Sequence, residues 1–421
     1  MSNIIVEGGK KLSGKISVQG SKNSSLPILA ACVLVEGVSV IHNCPDLTDV
    51  DAAVRILESL GCTVKREGHT LTVDSRTITC YNISEELMRE MRSSIVFLGS
   101  VIGRMGKATV YSPGGCEIGL RPIDLHISSL KAMGVNIDCD AGELKCEAEN
   151  GLTGTVISLS FPSVGATENI ILAAALANGR TTILNAAREP EIEDLANFLN
   201  ACGCSVYVGK HGTVVIDGVK KTHSCEHTVI PDRIVALTYM SAVAMAGGDV
   251  LFESVDTSHF LSVNRVFEQA GCKLSDYGNS IRLVSDKRLK CVRDIRTMPF
   301  PGFPTDAQAP IMAMLCIAEG TSVIVENIFE SRYNHVSELM RMGAKIKVED
   351  RVAIIDGVKE LHAAKVESID LRAGSALVVA GLAAHGKTVI NGINHIERGY
   401  ENITGCLKSI GAEIERSAGV E

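Results

Sequence analysis

Hydrophobic positions along this chain alternate between two periods in a recurring order. KISVQ reads as a strand by its period of two. Residues 21–35 carry apolar side chains on nearly every face, which predicts a helix covered on all sides and ending at Gly37. VSVIHN reads as a second strand. Residues 48–60 have one apolar stripe, as an outer helix does, and stop at Gly61. CTVKREGHTLTV then reads as a hairpin. The predicted unit is βαβαββ.

The same unit recurs. An apolar residue, Gly, a small residue, any residue and another apolar residue occur at Gly61, Gly134, Gly203, Gly271, Gly343 and Gly411, 68–73 residues apart. Six repeats therefore fill the chain, and self-similarity of this kind decides a fold. ENIILAAALA and SALVVAGLAA are apolar all round, so the first helix of each repeat should lie inside, with sheets and second helices around it. Six repeats make one ring or two groups of three. The polar stretch KKTHSCEHTVIPDR, midway along, is the expected break. Residues 1–21 precede the first inner helix and are expected to pair with the last repeat.

Composition narrows the class. With 421 residues, more than one domain is expected. The net charge of −8 argues against a general binder of nucleic acid or anionic membrane, though not against a local basic pocket. The N-terminal stretch lacks the apolar core of a signal peptide, and the apolar runs are too short to span a bilayer. Fourteen cysteines form no CxxC pair, so reduced thiols in a cytosol are expected, with Cys32, Cys202 and Cys316 inside apolar runs.

Polar residues recur at two positions of the repeat. At the start of the inner helices stand Lys22 and Asn23, Arg92, Ser163 to Gly165, Arg233, Asp306 and Arg372. Before the outer helices stand Asp46 and Asp49, Cys116 with Arg121, Glu189 with Glu191, His259, Arg332 and Arg398. Helix N-termini bind anions, but their usual caps are Ser, Thr, Asp and Asn, not Arg. Clustered cations in an acidic chain point to a substrate with several negative groups. SPGGCEIGLRPIDLH adds a cysteine on a Gly-rich loop, where it has no packing reason to be; Arg121 and the following helix start could activate its thiol.

These motifs, from SVQGSKNSSLPILAA through GGCEIGLRPIDLH, FPSVGATEN, NAAREPEIEDLANFLN, VIPDRI, FPTDAQAP, IFESRYNHVSEL and DLRAGSALVVAGL to HIERGYENI, resemble the UDP-N-acetylglucosamine enolpyruvyl transferases of the EPSP synthase family. The resemblance implies an α/β fold of two inside-out barrels or prisms, each of three βαβαββ repeats with internal helices. It implies domains at 22–230 and at 1–21 plus 231–421, with the active site between them. It implies transfer of the enolpyruvyl group of phosphoenolpyruvate to the 3′-hydroxyl of UDP-N-acetylglucosamine with release of phosphate. That reaction is the first committed step of bacterial peptidoglycan synthesis, and it is cytoplasmic and sensitive to fosfomycin.

Residue roles are implied likewise. Cys116 would protonate the methylene carbon and form a covalent adduct. Asp306 would take the hydroxyl proton, and Asn23 would steady the tetrahedral intermediate. Lys22, Arg121 and Arg398 would hold phosphate and carboxylate, with Arg92, Arg332 and Arg372 lining the site. Arg121, Pro122, Ile123, Asp124 and Leu125, Ser163, Val164 and Gly165, Asp306 and Ile328 would contact the UDP-sugar. No metal, organic cofactor, nucleic acid or membrane partner is implied, and the site needs no oligomer.

Glu117 and Phe161 depart from many relatives, and SVYVGKHGTVVIDGV lacks an expected turn. The sister enzyme of the shikimate pathway lacks the loop cysteine, RPIDLH and SVGATEN. A regulatory paralogue would lack Lys22, Cys116, Asp306 or Arg398. His223, Cys225 and His227 alternate in THSCEH as metal ligands might, but no fourth ligand is evident and the segment also reads as a linker. His126 either points at substrate or is structural.

Overall fold

The computed structural model describes residues 2–113, 123–286 and 288–417. They divide into two compact units: residues 20–113 with 123–230, here the Lys22 unit, and residues 2–19 with 231–417, the Asp306 unit. Each has its own apolar core.

Inner helices fill both cores. In the Lys22 unit they are Lys22–Cys32, Phe97–Met105 and Val164–Ala174; every residue from Ser24 to Cys32 and from Ala166 to Ala174 is buried. In the Asp306 unit they are Arg233–Ala246, Gln308–Leu315 and Leu371–Ala383. Small residues let these helices touch. A Cβ on Gly99 would fall 2.3 Å from the Asn169 carbonyl oxygen, so only glycine permits that crossing. The outer helices, such as Thr48–Ser59 and Pro190–Ala201, bury one face each.

All six anchor glycines have positive φ, between 89° and 104°. Each ends its outer helix with the same pair of bonds. Gly61 N–H donates to Glu58 O and Cys62 N–H to Leu57 O; Gly411 to Lys408 O and Ala412 to Leu407 O repeat the pattern. This is the Schellman closure, in which a left-handed residue satisfies the last helical carbonyls. The sequence period is therefore a period of helix ends.

Each full sheet has four strands: a parallel pair, then two antiparallel strands, which form a hairpin in every one of these sheets but the last, where the N-terminal strand takes one of the two places. Val156–Ser158, Arg180–Leu184, Val214–Asp217 and Ser205–Val208 stand in that spatial order. The hairpin forms across Gly209 and Thr213 without the turn expected from relatives. The sheets are separate, so the inside-out arrangement is assembled from packed sheets.

The repeats borrow strands, which corrects the expected assignment of KISVQ. The strand before the first inner helix, Leu12–Ser17, pairs in parallel with Gly248–Glu253 of the fourth repeat. Glu226–Thr228, before the fourth inner helix, pairs instead with Val38–His42 of the first. Asn3–Glu7 lies between Lys387–Asn391 and Glu413–Ser417, completing the last repeat as expected for the N-terminal segment. Period-two alternation marks a strand but not its neighbour; the backbone ladder accepts any segment of suitable register. In the second repeat the first strand shrinks to a bridge between Asn82 and Thr109. Among the described residues no helix is long and apolar enough to cross a membrane.

Candidate functional site

The inner helices begin with an electrostatic oddity. Ser21 caps the first of them by accepting from Ser24 N–H, Ser163 caps the third, and Asp232 and Asp370 cap two in the Asp306 unit. Directly after two of these caps come Lys22 and Arg233, Arg372 stands second after the Asp370 cap, and Arg92 opens the short turn Arg92–Val96. None of these helices carries an acidic residue in its first turn. The positive end of a helix disfavours cations, so this placement costs stability unless an anion is bound there.

In the Lys22 unit, the Lys22 ammonium lies 3.2 Å from Asp49, and both side chains are largely buried. Asn23 follows, half-buried. The helix start is held from behind by Asp194. That buried carboxylate accepts from Ser24 Oγ and from Ile230 N–H at 3.2 Å, and sits 2.8 Å from His227 Nε2. Ile230 in turn accepts from Ser21 N–H. Arg92 donates to Pro113 O at 3.5 Å. Ser163, Val164 and Gly165 open the third inner helix. Ile123 and Leu125 pack on the core, and Asp124 is exposed at the start of Asp124–Ala132. His126 is buried, with Nδ1 2.8 Å from Asn169 Nδ2. The amide donates there, which makes Nδ1 the acceptor and His126 a packed, structural histidine. Cys116, Glu117, Arg121 and Pro122 lie outside the described residues. Phe161 is 43% exposed, and its carbonyl accepts from Ser163 N–H.

In the Asp306 unit the starts of three inner helices meet. Asp306 receives Nη2 of Arg332 at 2.5 Å and Nη2 of Arg372 at 2.9 Å. Both guanidiniums are nearly fully buried, while the carboxylate keeps 27% exposure. Arg372 Nη1 donates to Tyr400 OH at 3.4 Å, and that hydroxyl bonds Thr238 of the Arg233 helix at 2.7 Å. Burial pushes the Arg372 guanidinium down, but Asp306, Tyr400 and Asp232 outweigh it and leave it more firmly charged. Arg332 lies over the Phe329 ring, and its buried Nε finds no partner among the described residues. Two guanidiniums on one carboxylate leave a surplus positive charge, suited to a further anion. Arg398 sits half-buried in the turn before Ile403–Ser409.

Glu326 is a member the sequence reading missed. It is 1% exposed and accepts from Thr297 Oγ1, Thr305 Oγ1, Ile328 N–H and Phe329 N–H, at 2.8 to 3.1 Å. It thereby holds Ile328 and the residue before Asp306 in one network. Its signal was present: Ser322 and Ile324 are the buried residues of the alternating strand Thr321–Val325, and Glu326, the next residue, continues that alternation. Among the described residues no group of three or more His, Cys, Asp or Glu could hold a metal ion. His227 binds Asp194 and Cys225 lies against Cys202, so THSCEH is not a ligand set.

Comparison with known proteins places this architecture. The EPSP synthase (3-phosphoshikimate 1-carboxyvinyltransferase) family matches residues 6–407. UDP-N-acetylglucosamine 1-carboxyvinyltransferase 2 of Caldanaerobacter subterraneus subsp. tengcongensis is 51% identical over 99% of this chain and 100% of that protein. The UDP-N-acetylglucosamine 1-carboxyvinyltransferase of Trichlorobacter lovleyi is 44% identical over 99% of each. The crystal structure of the enolpyruvyl transferase NikO from Streptomyces tendae superposes with a TM-score of 0.89 at 23% identity, over 100% of this chain and 99% of that one. EPSP synthase from Acinetobacter baumannii gives 0.77 at 19% identity, over 99% and 100%; these two likenesses speak to the fold. By its full-length identity to these relatives, the chain belongs to the UDP-N-acetylglucosamine 1-carboxyvinyltransferases, within the EPSP synthase family.

Proposed function

We propose that this protein transfers the enolpyruvyl group of phosphoenolpyruvate to the 3′-hydroxyl of UDP-N-acetylglucosamine, as an early step of peptidoglycan synthesis in a bacterial cytoplasm. The observation that carries the reading is 51% identity, end to end, to a relative named for that reaction. The geometry of each unit supports it.

The reaction adds a proton and an alcohol across a double bond, then eliminates phosphate. Cys116 delivers the proton to the methylene carbon, which leaves an oxocarbenium-like centre. The sugar hydroxyl attacks that centre and gives its proton to Asp306, the partly exposed carboxylate that two guanidiniums orient. Asn23 hydrogen-bonds the tetrahedral intermediate. The intermediate then loses a methyl proton, the double bond re-forms and phosphate departs with the electron pair. Lys22, Arg121 and Arg398 hold the phosphate and carboxylate, with Arg92, Arg332 and Arg372 adding positive charge. Arg121 to Leu125, Ser163 to Gly165, Asp306 and Ile328 hold the UDP-sugar. The residues of both units thus serve one reaction, with domains at 22–230 and at 1–21 plus 231–421.

Phosphate release with phosphoenolpyruvate tests this directly. UDP-N-acetylglucosamine as acceptor should support turnover, and shikimate 3-phosphate should not. Turnover with shikimate 3-phosphate alone would replace the reading by that of the sister enzyme.

A further inference from the structure

Away from the catalytic groups, two cysteines stand in a prepared contact. Cys202 ends the outer helix Pro190–Ala201, and Cys225 stands just before the short strand Glu226–Thr228. Their sulfurs are 3.2 Å apart. Backbone bonds fix the two segments beside the thiols: His223 N–H donates to Cys202 O at 2.9 Å, and Val40 N–H donates to Cys225 O at 3.0 Å. Cys202 is buried, whereas Cys225 keeps partial exposure. Two residues beyond Cys225, His227 is held by Asp194 at 2.8 Å and packs edge-on against Phe198.

We propose that Cys202 and Cys225 form a reversible oxidation site, which a peroxide converts into an intramolecular disulfide. Disulfide sulfurs lie about 2.05 Å apart, so the pair closes by about 1.2 Å from its present contact. The two thiols have different parts. The hydrogen bond from Cys202 pushes the Cys225 thiol down, burial opposes that, and His227 assists it. The same contact, together with burial, pushes Cys202 up, so it stays a thiol. Cys225, as thiolate, attacks one peroxide oxygen and becomes a sulfenic acid, and hydroxide leaves. The Cys202 sulfur then attacks the Cys225 sulfur, the S–S bond forms, and the sulfenic oxygen leaves with a proton as water. Two thiols and one peroxide give one disulfide and two waters, and a dithiol reverses it.

Peptide mapping reads the outcome. The folded full-length protein is treated with hydrogen peroxide, blocked with iodoacetamide and digested with trypsin without reductant. The peptides 189–210 and 222–233, which carry Cys202 and Cys225, should appear joined, two hydrogens lighter than their sum. Fragmentation should place the bond on Cys202 and not Cys204. The joined species should vanish with dithiothreitol and in Cys225→Ser, and persist in Cys204→Ser. Peroxide that oxidises other cysteines while leaving this pair open to iodoacetamide would overturn the proposal. So would a bond from Cys225 to Cys204 or Cys32, or a bond formed only in denaturant. The wild-type measurement decides without any variant, and turnover is not its readout.

Discussion

Asp306 carries two loads, and a pair of substitutions separates them. Its carboxylate is the shared counter-ion of Arg332 and Arg372, both buried. Asp306→Ala would leave two buried guanidiniums without it, a change that costs about 3–5 kcal/mol where a buried pair is broken. We expect loss of turnover together with a clear drop in the denaturant midpoint. Asp306→Asn keeps the shape and one of the two acceptor oxygens but removes the charge, so it should lose turnover by at least about a hundredfold, the lower range for general base catalysis, while recovering at most the part of the stability that shape and one hydrogen bond supply. Unchanged stability in both variants, each of which removes the negative charge, would count against the shared counter-ion. The thiols divide in a similar way. Burial pushes Cys62 and Cys316 up to about 12 and Cys204 and Cys272 up to about 11, so they remain protonated at neutral pH. A phosphonate epoxide such as fosfomycin, held by the cations proposed to bind phosphate, should add mass at Cys116 in the native protein and not at these buried thiols. Cys116→Ala should cripple turnover, whereas Cys116→Asp, still an acid, should keep some activity and lose the adduct. Labelling at the buried cysteines rather than at Cys116 in an intact-mass and peptide assay would refute this selectivity.

At the scale of elements, the six outer helices share one device, the left-handed glycine closing each of them. The conformation is needed at all six, but the space around them differs. A Cβ on Gly271 would meet nothing within 4 Å, whereas one on Gly61 would fall 2.7 Å from the Thr77 carbonyl oxygen. Gly271→Ala should therefore cost only the backbone penalty of a left-handed L residue, about 1–2 kcal/mol. Gly61→Ala should cost more, because the clash is with backbone that cannot swing aside. Thermal unfolding of the two variants compares them, and a larger loss at Gly271 would refute the account. Cations at the inner helix starts are the opposite case: they weaken their own helices by about 0.3–1 kcal/mol each, which makes sense for a site that receives anions.

For the whole molecule, acid is the revealing variable. His335 is 1% exposed. Burial pushes its imidazole down, Asp370 pulls it partly back, and the Arg332 charge lowers it again, to about 4 from 6.5. Below pH 6.5 the unfolded chain gains a proton that the folded protein refuses until about pH 4. The His335 contribution to stability is thus complete above pH 6.5 and is lost as the pH falls toward 4, on the order of 3 kcal/mol over that window. Unfolding free energies from pH 7 to 4.5 should fall more steeply in the wild type than in His335→Leu; identical slopes would place the acid sensitivity elsewhere.

The repeat, its helix ends and the positions of the polar residues were legible in the sequence, because each is local. Positive φ demands glycine at Gly61 and its five equivalents, all-round apolar composition marks an inner helix, and Lys22, Arg92, Asp306 and Arg372 stand at similar distances, 37 to 42 residues, before those glycines. Glu326 was hidden in plain alternation, since a period of two says that a side chain is buried but not which donors await it. The exchange of Leu12–Ser17 and Glu226–Thr228 between repeats was beyond reading for the same reason, as strand pairing is set by backbone register over long sequence distance. By itself, then, the chain determined its six-fold periodicity, its inner and outer helices and the residues at their starts. Only the tertiary structure decided which strands close which sheet, that Asp306 sits between two guanidiniums, and that Cys202 touches Cys225. Local pattern specifies conformation, whereas contacts between distant segments depend on how packed helices and sheets bring them together.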